Sequence, residues 1–391
     1  MTSAVAARRE SATAPWMPLF PTLWPSMMRP GAANALPFPL SHPGRRDFVF
    51  ARYAIFAIAR SLALAGREVL FPAFFHCVEL DAVLAAGARV TFFPIGPTLQ
   101  VEPDDIARLI GPRTAAVYVI HYAGFPAPIR ELRDLCRQRG VALIEDCAHG
   151  LLSRSGDAPL GSFGDAAAFS LPKSLPTSDG GVGVMRGAWP SESGQRTAPS
   201  RRWVAAHTVS LLLSNLEMRK LPAAAWARAT GLRMGKAAFS AAGADYVPKG
   251  TPTFDLAQAD QTISALSRRI LARQDFDAIV RKRRRNYGYL REQLREVAPP
   301  IFPELPAGVC PLFYPFRTAN RDAVFKRMRA RGAEIGEFWP ERHPAGADPE
   351  FRDVENLRAS ALWLPCHQDL TLEALDWLAG AVREAVLESR R

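Results

Sequence analysis

Of the 49 basic side chains in the 391-residue sequence, six are lysine, and Lys173 is the sole lysine within the first 219 residues. Arginine stays charged in proteins, whereas a lysine amine can lose its proton. A chain that writes nearly every positive charge as arginine and keeps Lys173 therefore marks that amine for chemistry, although codon bias would leave the same count. Two more features accompany it. Ile144-Glu145-Asp146-Cys147-Ala148-His149 reads as an apolar strand that delivers two acids and a histidine to its carboxyl end, and Phe169-Ser170-Leu171-Pro172-Lys173 as a second strand end. After Phe50-Ala51-Arg52-Tyr53 a helix opens with a cation beside its start, which makes an anion site. An amine, a carboxylate and a phosphate-ready helix start are together what pyridoxal 5′-phosphate requires: a Schiff-base lysine, an acid at the pyridine nitrogen and donors for the phosphate. Each alone is weak evidence.

The elements that must position these residues follow from the pattern. Helices are expected at Tyr53–Leu64, Glu79–Ala86, Pro103–Ile110 and Ile129–Arg139, and strands at Glu68–Phe71, Arg89–Pro94, Ala115–Ile120 and Val141–Ile144. Strands of nearly unbroken apolar character alternating with helices predict a large, doubly wound, mainly parallel α/β sheet. Ligands of such sheets bind at the carboxyl ends of the strands, so the turns after 71, 120, 145 and 170 are where chemistry belongs. Residues 1–45 read as a proline-broken N-terminal arm, 46–250 as the large domain, and 251–391 as a small C-terminal α+β domain joined by a long linking helix from about 255 to Val297. Within the large domain, 186–250 reads as a helical insertion whose apolar stretch Val204–Leu216 packs on the domain or a second subunit, or lies on a membrane surface.

The chain also resembles a known family. Ile144–His149, Gly161-Ser162-Phe163-Gly164-Asp165-Ala166-Ala167-Ala168-Phe169-Ser170, and Lys173 through Asp179-Gly180-Gly181 resemble the DegT/StrS-type sugar aminotransferases, as do Phe71-Pro72-Ala73-Phe74, Ala86-Gly87-Ala88, His121-Tyr122-Ala123-Gly124 and Leu364-Pro365-Cys366-His367. The 27-residue separation of Asp146 and Lys173, with the Gly-Ser-Phe-Gly-Asp segment between them, is the specific part. The resemblance covers residues 47–185 closely and 280–385 loosely.

The resemblance implies a fold-type-I enzyme dependent on pyridoxal 5′-phosphate. Lys173 would carry the cofactor and move protons, and Asp146 would pair with the pyridinium nitrogen. His149 would contact the phenolic oxygen, unless it is a satisfied core histidine. Ser170 and the backbone N–H groups of Arg52 and Tyr53 would bind the phosphate, and His76 would stack on the ring, with Phe75 taking that place if the register slips by one. Glu145 is expected to be structural. The family implies a homodimer, a small-molecule amino donor (glutamate) and a keto acceptor on a nucleotide-linked sugar or related compound. Two departures concern the acceptor half. The segment between Ser170 and Lys173 is shorter than in relatives. The Gly-Tyr-Asn-Tyr-Arg element that crosses between subunits is absent, its place holding Gly250-Thr251-Pro252-Thr253-Phe254-Asp255.

Composition narrows the alternatives. A formal charge of +11 raises nucleic acid as a partner, and the run Arg281-Lys282-Arg283-Arg284-Arg285 reads as a solvated helix face or as a holder of an acidic acceptor. No aromatic interleaving, helix-turn-helix or zinc pattern supports nucleic acid. Five scattered cysteines, without C-x-x-C spacing, argue against a disulfide scaffold and a metal site and for a cytoplasmic protein. No window of 18 uninterrupted apolar residues predicts a transmembrane helix. The competing functions are another pyridoxal-phosphate reaction on a non-sugar secondary metabolite and a non-catalytic regulator on the same fold. The retained Lys173, Asp146 and Ser170 count against the regulator.

Overall fold

The computed structural model describes residues 16–29, 31–190, 196–221, 254–346 and 351–390, together with 223, 224, 226–228 and 230. Its centre is a seven-stranded sheet formed by β1 (Arg46–Phe48), β2 (Glu68–Pro72), β3 (Arg89–Phe93), β4 (Thr114–Ile120), β5 (Ala142–Asp146), β8 (Ala166–Ser170) and β9 (Gly181–Met185), in the order β1-β9-β8-β5-β4-β2-β3. The two-residue strands β6 (Arg154–Ser155) and β7 (Ala158–Pro159) form a separate small ribbon. Strands β8, β5, β4, β2 and β3 run parallel, and β9 is antiparallel to both its neighbours, β8 and β1. All seven residues of β4 are buried, as expected for a strand covered on both faces. The covering helices include α1 (Ala51–Ser61), α2 (Cys77–Ala85), α3 (Pro103–Leu109) and α4 (Ile129–Arg139), each close to its expected span. The expected mainly parallel α/β architecture is therefore the observed one.

β1 and β9 were not foreseen. β1 is three residues long, and β9 carries Gly181 and Gly183 where a strand pattern wants side chains. Both glycines serve close approach. A Cβ on Gly181 would lie 2.3 Å from the Phe50 carbonyl carbon and 2.4 Å from the Ala51 nitrogen, so β9 can press directly on the start of α1 only because this side chain is missing.

After the single turn α5 (Leu171–Ser174), helix α6 (Arg201–Met218) falls within the range 186–250, of which 231–250 lie outside the described residues. α6 buries Val204, Thr208, Asn215 and Glu217, and its Leu211 carbonyl accepts from the Leu23 N–H at 3.3 Å. Packing on the protein, rather than on a membrane, is what these contacts support. The N-terminal arm is held too. Thr22 donates through its N–H and its hydroxyl to Asp369 Oδ2 at 2.7 and 3.0 Å, and the Trp24 indole donates to Oδ1 at 2.9 Å.

The long linking helix is two helices. α7 (Ala265–Leu271) is capped by Ser264, and α8 (Phe276–Leu294) by Asp275, whose carboxylate accepts from the Ala278 N–H at 2.9 Å. These caps satisfy N–H groups that a continuous helix would bond internally, so each cap starts a helix. Asp179 ties α7 to the sheet: it accepts from the Ser264 N–H (2.7 Å) and from the hydroxyls of Ser264 (2.8 Å), Ser267 (3.0 Å) and Ser178 (2.7 Å). The C-terminal part of the chain, where a small domain was expected, forms a three-stranded antiparallel sheet, β10 (Phe313–Arg317), β12 (Ala361–Pro365) and β11 (Gly336–Glu337), with α9 (Arg321–Ala330), α10 (Arg352–Ser360) and α11 (Leu372–Ser389).

The basic run on α8 is partly a solvated face, with Arg281, Lys282 and Arg285 exposed, and partly a structural clamp, and none of it lines the cavity described below. Arg283 is fully buried and donates to Gln368 (2.9 Å) and to the carbonyls of Pro311 (3.2 Å), Leu312 (2.8 Å) and Ser174 (3.1 Å). Arg284 donates to Pro306 O and Val309 O, and Arg285 to Asn286 and Leu370 O. A planar five-donor fork suits this gathering of carbonyls, and an ammonium does not. Arg283→Met should strand several buried acceptors and lower the unfolding free energy by about 2–4 kcal/mol, measured by urea denaturation.

Candidate active site

Four element ends converge on one cavity of about 1090 Å³: the carboxyl end of β5 with Asp146 and His149, the end of β8 with Ser170 and Lys173, the start of α1 with Arg52 and Tyr53, and the start of α2 with His76 and Glu79. Every site residue expected from the sequence lines it. Strand alternation explains how two adjacent acids on β5 do different work. Glu145 is fully buried and points away from the cavity, where its carboxylate accepts from the N–H groups of Gly161 (2.8 Å), Phe163 (2.8 Å) and Gly164 (2.6 Å) and lies 3.0 Å from His121 Nε2. His121 Nδ1 accepts from the Ala127 N–H at 3.1 Å, so Nε2 carries the proton given to Glu145. Glu145 and His121 are structural. With Cys147 they form a group of metal-capable atoms, but the carboxylate is already filled by donors.

Asp146 faces the cavity. Its Oδ2 accepts from the Tyr118 hydroxyl at 2.7 Å and its Oδ1 from the Ala148 N–H at 2.8 Å. Tyr118 is itself held by stacking on Phe71, with ring centroids 4.5 Å apart. His149 Nδ1 accepts from the Ala123 N–H at 3.3 Å, which leaves Nε2 as the protonated donor of a neutral ring. Burial, reinforced by the charge of Lys173, holds that ring well below the usual histidine pKa. Gly124, at φ +92°, lets this loop meet the small domain: a Cβ there would stand 2.6 Å from the Cys310 carbonyl.

Among the described residues, the Lys173 amine has no hydrogen-bonding partner. Burial pulls its pKa down, and Asp146 and then Glu79 pull it back up. An amine that is unpaired, partly buried and lowered in pKa is a nucleophile and proton carrier. At α1, Phe50 supplies no side-chain cap and the first turn holds no acid, so nothing there competes with an anionic ligand. One expectation needs adjustment: the Tyr53 N–H donates to the Phe50 carbonyl at 3.1 Å and is engaged. Of His76 and Phe75, only His76 lines the cavity. Phe75 is buried and stacks on Phe92 at 5.6 Å and 7°, away from the cavity that His76 lines. The donor set fits pyridoxal 5′-phosphate: a free amine, an anchored carboxylate, a neutral imidazole donor and an acid-free helix start occur together.

Three residues were missed. Tyr118 lay unremarked in its strand. Glu79 was read only as a helix start, although His76-x-x-Glu79 has capping-box spacing and the Glu79 carboxylate accepts the His76 N–H at 2.6 Å. Trp339 arrives from the small domain, its ring 5.3 Å from His149 and 6.2 Å from His76, and had no sequence signal. Of the segment expected to replace the cross-subunit element, 250–253 lie outside the described residues. Phe254 packs on Tyr53 and Phe56, both at 5.4 Å, and Asp255 lines the cavity.

Burial and the neighbouring Asp146 charge push the Glu79 carboxyl up to about 8, whereas burial, Lys173 and Arg52 push His76 down to about 3. The folded chain therefore holds a Glu79 proton that the unfolded chain releases near the ordinary carboxylate pKa. This contribution to stability is complete at low pH and falls as pH rises toward 8. His76 acts oppositely, adding stability as pH rises from about 3 to its unfolded value of 6.5. Between pH 6.5 and 8 only the Glu79 effect remains of the two. In urea titrations of the cofactor-free protein, Glu79→Gln should remove a downward slope there of up to about 1.4 kcal/mol per pH unit.

Comparison with known proteins agrees with this geometry. Residues 53–187 match the model of the DegT/DnrJ/EryC1/StrS aminotransferase family. A dTDP-4-dehydro-2,3,6-trideoxy-D-glucose 4-aminotransferase from Saccharopolyspora spinosa is 38% identical over 133 residues, 33% of this chain and 34% of the relative. A GDP-perosamine synthase from Vibrio cholerae is 36% identical over 122 residues, 30% of this chain and 33% of the relative. The matches thus span about a third of these relatives' length. Among solved structures, the putative sugar aminotransferase Spr1654 from Streptococcus pneumoniae in its PLP form superimposes with a TM-score of 0.69 at 14% identity, covering 96% of this chain and 99% of that one. The aminotransferase TlmJ from Streptoalloteichus hindustanus gives 0.64 at 24% identity, covering 89% and 87%. These structures share the fold over nearly the whole chain. It is the segment 53–187, which contributes both Asp146 and Lys173 to the cavity, that matches the DegT/DnrJ/EryC1/StrS aminotransferase family.

Proposed function

We propose that the chain is a pyridoxal-phosphate-dependent aminotransferase that moves an amino group from an amino-acid donor, glutamate, to the keto carbon of a sugar or sugar-derived acceptor. The observation that carries this reading is the unpaired Lys173 amine in one cavity with Asp146, whose carboxylate is fixed by Tyr118 and the Ala148 N–H. The acceptor class follows the names of the relatives, which act on dTDP- and GDP-linked sugars.

The bound cofactor supplies an aldehyde that takes up the amino group and a ring that withdraws electrons from the reacting carbon. The protein's residues do the rest. Lys173 Nζ would hold the aldehyde and, as an amine whose pKa burial lowers, would move the proton at the reacting carbon. Asp146 would stabilise a positive charge at the ring nitrogen, and the Tyr118 hydrogen bond keeps that carboxylate aimed. His149 Nε2–H would donate to the phenolic oxygen. Ser170 and the start of α1 would hold the phosphate, and His76 would lie against the ring.

A homodimer in the cytoplasm belongs to this reading. Val209, Leu221 and Trp226 are exposed on and just beyond α6, which supports subunit contact, and five free cysteines suit a reducing compartment. Among the described residues, no helix is long and apolar enough to cross a membrane.

Purified protein mixed with pyridoxal 5′-phosphate should gain a visible absorption band, and borohydride should fix the cofactor to the Lys173 peptide in a digest. Lys173→Ala should lose the band and the label, while Lys220→Ala, at a surface residue paired with Glu373, should keep both. Glutamate should bleach the band of the unaltered protein. Labelling of Lys173→Ala at another lysine would overturn the assignment.

A further inference from the structure

His149 belongs to the turn after β5, yet the rings that surround it come from far along the chain. Phe313 at the start of β10 stands edge-on to it at 5.2 Å and 74°, and Trp339 is tilted over it at 5.3 Å and 35°. Phe338 completes the enclosure at 6.2 Å and 47°. The same indole stands 6.2 Å from His76, so Trp339 lies beside both histidines of the cavity wall. All three rings lie outside the segment 53–187 that matches the family.

Each wall of this box is itself held. Phe313 stacks on Trp363 at 4.2 Å and 28°, and Trp363 lies against Gly336, where an added Cβ would come within 2.0 Å of the indole. Phe338 meets Phe313 edge-on at 5.3 Å and Trp339 at 4.9 Å. Trp339 has φ +51°, a left-handed conformation that is costly for a bulky residue and survives only where its surroundings impose it. What imposes it is Arg358, a buried residue of α10, whose guanidinium donates to the carbonyls of Trp339 (2.7 Å), Glu341 (2.6 Å) and Ala73 (3.3 Å). Ala73 lies three residues before His76, so one arginine ties the turn of Trp339 to the segment that carries the second histidine. A large apolar side chain needs no such strain merely to be buried; the strain fixes where the indole stands and how its plane is turned.

We propose that Trp339 is a positioning residue for His149: with Phe313 and Phe338 it fixes the plane of the imidazole and keeps water from it, so that Nε2 faces the cavity with a proton to give. An imidazole free to turn or to hydrate would exchange its bond from the Ala123 N–H for water, charge more readily and present either nitrogen. Lys173 and His76, whose charges act on this ring, both oppose its protonation, and the aromatic walls add no charge of their own. The proposal deepens the aminotransferase reading and rests on it for what Nε2–H meets, the phenolic oxygen of the cofactor.

The test reads His149 directly. The full chain, labelled with ¹⁵N at histidine, is titrated by NMR before any cofactor is added, with His149→Ala identifying the signals of the ring. In the unaltered chain His149 should stay the neutral Nε2–H tautomer through the range in which free imidazole charges. Trp339→Ala should mix the tautomers and raise the ring's proton affinity about tenfold as water enters, and Trp339→Phe should keep the single tautomer and an affinity within about threefold. With pyridoxal 5′-phosphate bound, Trp339→Ala should slow the bleaching of the visible band by saturating glutamate about tenfold, while the half-saturation for glutamate moves by less than about threefold. In His149→Ala the same substitution should slow bleaching by less than about twofold, because the residue it acts through is gone. A His149 that titrates like free imidazole in the unaltered chain, a tautomer unchanged in Trp339→Ala, or equal slowing with and without His149 would overturn the proposal. Failure of glutamate to bleach the unaltered protein would instead count against the aminotransferase reading, and the histidine signals would still decide on Trp339. The first of these outcomes is read on the unaltered chain, so it stands even if Trp339→Ala does not fold.

Discussion

Everything at the site depends on the placement of two adjacent carboxylates at the end of β5. Glu145 and Asp146 sit on consecutive residues of a buried strand, so the pleat sends them to opposite faces of the sheet. A buried carboxylate is tolerable only when donors surround it, and Glu145 has three backbone N–H groups and the His121 imidazole. Those N–H groups belong to the Gly161–Gly164 turn that leads into β8. The bonds therefore anchor the turn beneath β5 and set the register in which β8 pairs, Asp146 opposite Ala168, which in turn places Ser170 and Lys173. One acid organises the scaffold, and its neighbour faces the chemistry.

The small domain completes the site through arginines that behave as frameworks for carbonyl groups. Arg283 and Gln368 both donate to the Ser174 carbonyl, one residue after Lys173, so the turn that carries the amine is gripped from the other domain. Arg358 does the same for the turn that carries Trp339 and reaches across to Ala73. Two of the arginines, Arg283 and Arg358, are thus internal scaffolding rather than a partner-binding surface.

The pattern of apolar residues was sufficient to place β2 to β5, α1, α2, α3 and α4 within a few residues, because strand and helix periods are local and the stops at Gly87 and Gly140 are local too. Lys173, Asp146, His149 and Ser170 stand at strand ends that the sequence already pointed to, and His76 came from the family resemblance; all five line the cavity. Signals failed where one residue type serves two ends. Gly181 and Gly183 hid β9, because the contacts that require them come from Phe50, Ala51 and Trp189. Asp275, polar in a polar helix pattern, gave no warning that it ends one helix and caps the next. Arg283 looked like its neighbours, and only packing shows that it is the buried member of the run.

The cofactor half of the site is written into short stretches of chain, since a strand end, a turn and a helix start each carry their own chemistry and local geometry. That an amine, an acid and an anion site were present was thus decided by the order of residues alone. Which groups share a cavity was not. Glu79 meets Asp146 and Lys173 from residues more than sixty positions away, and Trp339 meets His149 across nearly two hundred. Their effects come from desolvation, from like-charge proximity and from a backbone strain held by Arg358. Those forces depend on distance in space, and only the folded chain brings the groups close enough to feel them.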